Sequence, residues 1–198
     1  MSSGGALGCH RDVLHHGEPW LRTTRFRVEG AAYNRRMYNA QTLQDIHRRA
    51  HESLRRLIAF CGVLSQEELL RPLAGFGFPT IMRQLEHTIG AEVYWQTVVT
   101  RGYTEEAKMP ALPDLVAMEA FRQRTAAATR GYLAVASEAE LNSSRPMISD
   151  PGETRLLRPA DVIIRVVTHI FNHQGQVLAM CRTMGRPNEE RDLDYPLN

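Results

Sequence analysis

His169 and His173 stand four residues apart in the run T-H-I-F-N-H-Q-G-Q. On an α-helix that spacing puts both on one face with Cβ atoms roughly 6 Å apart, near enough for two imidazoles to converge on one ion. Advancing about 100° per residue from Val162, the apolar Val166, Ile170 and Val177 fall between roughly 40° and 80°, with His173 near 20° and His169 near −20°. Both therefore look into or along the buried stripe. A single histidine on such a face is ordinarily a hydrogen-bonded core residue, and H-x-x-x-H alone arises often by chance, so a third donor is what makes a site. His87 can supply it. It shares a stripe with Ala91, Tyr94 and Val98 on the most apolar helix of the chain, where an imidazole needs a partner or a purpose. Three neutral imidazoles leave a divalent ion with open positions for water or substrate, the arrangement of a catalytic site rather than a closed structural one.

Two further groups of residues compete for or could support this chemistry. His47 and His51 form a second H-x-x-x-H pair, beside Leu43, Ala50 and Leu54. They are rival ligands, although the polar run R-R-A-H-E and their position off the centre of the stripe favour a surface or supporting role. Glu92, Tyr94, Trp95, Asn172, Gln174 and Gln176 flank the histidines and could orient them or shape a pocket, each with a purely structural role as the default. Glu92 is the best placed of these to act as a base, yet it lies roughly 140° around the helix from His87. His10, His15 and His16 lie in the N-terminal stretch and carry little weight.

The elements that must position these side chains are helical. Four long segments carry apolar residues at helical spacing, and nothing between them alternates convincingly with period two. The first runs from near Asn39 to about Phe60, with Leu43, Ile46, Ala50, Leu54, Leu57 and Cys61 on one stripe and Gly62 ending it. Ser65 and Glu68 have capping-box spacing, which fits a short turn through Leu70. After R-P-L-A-G-F-G-F-P-T, the second long helix starts at Pro79 or Thr80 and continues to Gly102. Asp114 caps a third that reaches Ser137, its stripe being Leu115, Met118, Phe121, Thr125, Ala128 and Tyr132. Asp150, Pro151 and Gly152 make a turn flanked by short extended runs, consistent with a small hairpin. Pro159 opens the last helix, which runs to Met184. The expected fold is all-α, a four-helix bundle with a short β-hairpin before the last helix.

Length and composition agree. A chain of 198 residues with 43% apolar content forms one domain of ordinary size with a proper core. Arg, His or Glu interrupts every apolar run, so no membrane span is expected, and no apolar core precedes a small-residue cleavage site, which makes the cytoplasm the default location. The cysteines, Cys9, Cys61 and Cys181, show no C-x-x-C spacing and suggest neither a disulfide framework nor a thiolate site. Residues 1–36 lack a sustained apolar face and are expected to form a poorly ordered extension. They hold six arginines against three acids, leaving residues 37–198 with eighteen basic and nineteen acidic groups. That balance argues against nucleic-acid binding.

Three runs resemble the DinB/YfiT superfamily of small bacterial four-helix-bundle proteins, which is unrelated to the DNA polymerase sharing part of that name. They are M-Y-N-A-Q-T-L, F-G-F-P-T-I-M-R-Q-L-E-H-T-I-G-A-E-V-Y-W and T-H-I-F-N-H-Q-G-Q-V-L-A-M-C-R-T-M-G. The resemblance covers residues 37–198 and begins at Met37. It implies a metal, nickel or zinc, held by His87, His169 and His173. It further implies either a metal-dependent hydrolase or a transferase of low-molecular-weight thiols acting on a small molecule, or a non-catalytic metal-binding stress-response protein, and commonly a homodimer.

Overall fold

Every helix of the described residues but the last starts where the sequence offers a side chain to satisfy its first free backbone N–H groups. Asn39 accepts from the backbone of Gln41 (2.8 Å) and Thr42 (3.3 Å) and opens α1, Ala40–Cys61. Ser65 and Glu68 form the reciprocal capping box of the short α2, Gln66–Leu70. Thr80 caps α3, Ile81–Thr100, and Asp114 caps α4, Leu115–Val135. Ser137 caps α5, Glu138–Asn142, a short helix for which the sequence reading made no provision. Pro159 sits in the first turn of α6, Pro159–Thr183. The expected hairpin is present: β1, Arg145–Asp150, pairs antiparallel with β2, Glu153–Leu157, and Gly152 takes the left-handed φ of 77° in the turn between them.

This computed structural model describes residues 38–102, 110, 112–150, 152–188 and 193–197. The N-terminal extension expected over residues 1–36, with Cys9 and His10, His15 and His16, lies outside the described residues. No helix among those described is long and apolar enough to cross a membrane.

α1 packs against α4 and α6, and α3 packs against the same two helices, so α1 and α3 stand diagonally across a four-helix bundle. The main core joins Leu54, Leu57, Leu85, Ile89, Met118, Ile170 and Val177 from all four, together with Cys61 and Cys181, both buried as free thiols in the role expected of them. The buried stripe of α4 differs from the expected one toward its C-terminal end. Ala128 is exposed, while Ala126, Thr129 and Leu133 face inward. The hairpin lies against α3, where Met147 packs with Val98, Val99 and Val162.

Candidate metal centre

The loop before α3 sets the first part of the site. Its ends are joined by a hydrogen bond from the Leu73 amide to the Pro79 carbonyl (2.7 Å), and Phe78 comes to rest stacked on the His87 ring at 4.0 Å and 23°. From α6, His169 and His173 face His87 across the α3–α6 contact. Ring centroids are 5.1 Å apart for His87 and His169, 4.7 Å for His87 and His173, and 4.3 Å for the α6 pair. One nitrogen from each ring lies within 4.8 Å of the others. His173 is buried, whereas His87 and His169 are half-buried, so the cluster sits at the edge of the core with one side toward solvent.

Two observations show that these residues fit a metal ion. His173 Nδ1 lies 2.7 Å from Gln84 Oε1, and the Gln84 amide is oriented by donating from Nε2 to the Phe78 carbonyl (3.0 Å) and to Gln176 Oε1 (3.0 Å). The Gln84 oxygen can only accept, so His173 carries its proton on Nδ1 and keeps the Nε2 lone pair for a ligand. In addition, His169 Nε2 is buried with no hydrogen-bond partner. A buried imidazole nitrogen without a partner is costly, and a bound cation removes that cost.

Electrostatics keep the cluster ready to bind. Burial pushes the His169 imidazole down to about 4, aided by the neighbouring His173 and His87 rings and by Arg165. Burial and Arg83 lower His87, and burial and His87 lower His173. All three are therefore neutral at pH 7, the form that ligates metals.

Two expected results follow directly. Gln84→Leu removes the group that fixes the His173 tautomer and should weaken metal affinity about 10–100-fold with the fold retained. Chelator competition measures this, and unchanged affinity would show that the tautomer needs no support. The second concerns pH. His169 is lowered to about 4 from an ordinary value of 6.5, so as pH falls the unfolded chain takes up the proton first. Metal-free stability should then decline between those two values and level off below the lower one. Urea midpoints should fall more steeply over this window for wild type than for His169→Gln; parallel curves would contradict the assignment.

Among the other residues singled out from the sequence, Gln176 alone reaches this cluster by a hydrogen bond, through Gln84. Asn172 is exposed, and Gln174 accepts from the Ser53 hydroxyl of α1 (3.0 Å). The Tyr94 hydroxyl donates to the Ser149 carbonyl on the hairpin, while the Trp95 ring carries the Arg165 guanidinium at 5.0 Å.

His47 and His51 depart from the surface position that the polar run favours, whereas Glu92 faces away from His87 as the roughly 140° between them implies. Neither histidine is on the surface: His47 is 0% and His51 3% exposed. Because α1 packs against two neighbours, its buried arc is wide enough to take in both, while Arg48 of the polar run turns outward to pair with Asp45. Glu92 reaches them from α3, with His47 Nε2 2.7 Å from Oε1 and His51 Nε2 2.7 Å from Oε2. The Thr129 hydroxyl of α4 also donates to Oε1 (2.7 Å). Burial works to raise the Glu92 carboxyl, but the His51 and His47 contacts outweigh it and hold the group below the usual carboxylate range. The sequence signal for this cluster was an acid on a largely apolar helix together with an H-x-x-x-H pair elsewhere.

The profile of the DinB family matches residues 37–197. Among solved structures, a candidate member of the DinB family from Exiguobacterium sibiricum 255-15 matches with a TM-score of 0.59, covering 80% of this chain and 99% of that one at 16% identity, a likeness of fold alone. No curated protein matches the chain.

Proposed function

This chain belongs to the DinB family, and from that premise we propose that it is a metal-dependent enzyme in which His87, His169 and His173 hold a nickel or zinc ion. The observation that carries this reading is the unpartnered, buried His169 Nε2 within a set of three neutral imidazoles open on one side. A divalent ion held there supplies Lewis acidity toward a water, thiol or carbonyl group. Hydrolysis and thiol transfer are the two reaction classes that this chemistry supports.

The residues around the open side suggest the substrate's charge. Arg83 lies close enough to His87, and Arg165 close enough to His169, to lower each imidazole. Arg83 is partly neutralised by Glu86 at 2.7 Å, whereas Arg165 is spread over Trp95. A small molecule bearing an anionic group, including a thiolate, fits such a rim.

The test is elemental analysis of purified protein, followed by assays for hydrolysis and thiol transfer before and after chelation. Metal at one equivalent or more per chain, with activity lost on chelation and restored by nickel or zinc, supports the proposal. Absence of metal with an unchanged melting temperature after chelation removes it. Bound metal that raises the melting temperature but supports no turnover favours the non-catalytic reading, in which the ion only ties α3 to α6.

A further inference from the structure

We propose that His47, His51 and Glu92 form a second divalent-metal centre, enclosed in the bundle and separate from the three-histidine cluster. Each contributes one donor atom, all within 4.8 Å of one another. The set of two imidazoles and one carboxylate is one that zinc accepts, with imidazole nitrogens at about 2.0–2.1 Å and carboxylate oxygens at about 2.0–2.2 Å. The His47 and His51 rings, 4.4 Å apart and tilted by 53°, turn their Nε2 atoms toward the same carboxylate. The Thr129 hydroxyl donates to Glu92 Oε1 at 2.7 Å and orients the carboxylate.

The competing view is a closed hydrogen-bond network in which Glu92 accepts from two imidazoles and a hydroxyl. His47 Nδ1 is buried without a hydrogen-bond partner, so no contact at that atom opposes a change of tautomer. Ion binding transfers the His47 proton from Nε2 to Nδ1 and frees Nε2 as a ligand, with no net change in protonation. The same shift at His51 places a proton on Nδ1, which lies 3.4 Å from Arg122 Nη1. Arg122 keeps other acceptors, the His51 carbonyl at 3.3 Å and the Glu119 carboxylate at 2.7 and 2.6 Å, so its guanidinium need not hold the ring nitrogen. Because all donors are enclosed, the centre is a structural one that ties α1 to α3, unlike the half-open cluster between α3 and α6.

Cobalt(II), supplied during growth and again to the purified untagged protein, tests the proposal through stoichiometry and d–d absorption. Wild type should hold two equivalents. The His169→Ala/His173→Ala variant should keep one, with an intense low-symmetry band that disappears when Glu92→Gln or His51→Gln is added. One equivalent in wild type that is lost in the His169→Ala/His173→Ala variant overturns the second centre and leaves the first intact. One equivalent that survives that variant but is lost in Glu92→Gln supports the second centre and defeats the three-histidine reading. Cobalt that survives both sets of substitutions is adventitious and overturns the proposal. Circular dichroism of each variant confirms that the chain compared is folded.

Discussion

With His169 replaced by alanine, the exchangeable ion between α3 and α6 is expected to be held at least on the order of 10³-fold more weakly, equivalent to about 4 kcal/mol. The reasoning is comparative. Loss of an outer hydrogen-bond partner of a ligating histidine costs about 10–100-fold, and His169 is proposed as a ligand itself, so its loss should exceed that range. The substitution also removes the buried nitrogen that lacks a partner. The metal-free protein should therefore be no less stable than expected for a half-buried site, and it can gain stability at mildly acid pH. Competition against a chelator for nickel or zinc reads the affinity. A value within tenfold of wild type would remove His169 from the ligand set.

The second large effect is on folding. Glu92→Ala leaves two imidazole N–H groups and the Thr129 hydroxyl without their acceptor in a region closed to water. Breaking a buried charged cluster by removing one member costs about 3–5 kcal/mol, because the desolvation of the remaining groups is no longer offset. For a domain of this size each kcal/mol corresponds to roughly 2–4 °C, so the metal-free variant should melt on the order of 10 °C below wild type. Glu92→Gln keeps one acceptor oxygen and should fall between the two. A loss under about 1 kcal/mol for the alanine variant would mean that water or a shifted side chain satisfies the histidines.

How far these sites were legible in the sequence depended on whether their partners share a helix. His169 and His173 are four residues apart on α6, and helical geometry alone places them together. His87 required a judgement about which stripe of α3 faces α6; its stripe mates Ala91 and Tyr94 are only half-buried, so the enclosed face of α3 is instead that of Leu85, Ile89 and Glu92. Helical spacing sets Glu92 about 140° from His87 on α3 but does not say what it faces. What it points to belongs to α1, and no periodicity within one segment reports on the helix diagonally opposite. The arginines beside His47 and His51 masked that pair, since average polarity over R-R-A-H-E says little about a helix whose neighbours cover two sides. α5 was missed for a different reason: five residues are too few to establish a period, although Ser137 and Glu140 carried the capping signal.

The Glu92 cluster also bears on how the helices are aligned lengthwise. Aliphatic side chains tolerate sliding, because one leucine can be exchanged for the next in a neighbouring groove at modest cost. A carboxylate with two imidazoles at 2.7 Å cannot be exchanged in this way. Displacing α1 by one turn, about 5.4 Å, would put one ring in the other's place and bring Leu43 or Arg55 to the vacated position, so Glu92 would keep at most one imidazole. The cluster thus acts as an axial registration mark for the diagonal pair α1 and α3, each of which packs chiefly against α4 and α6.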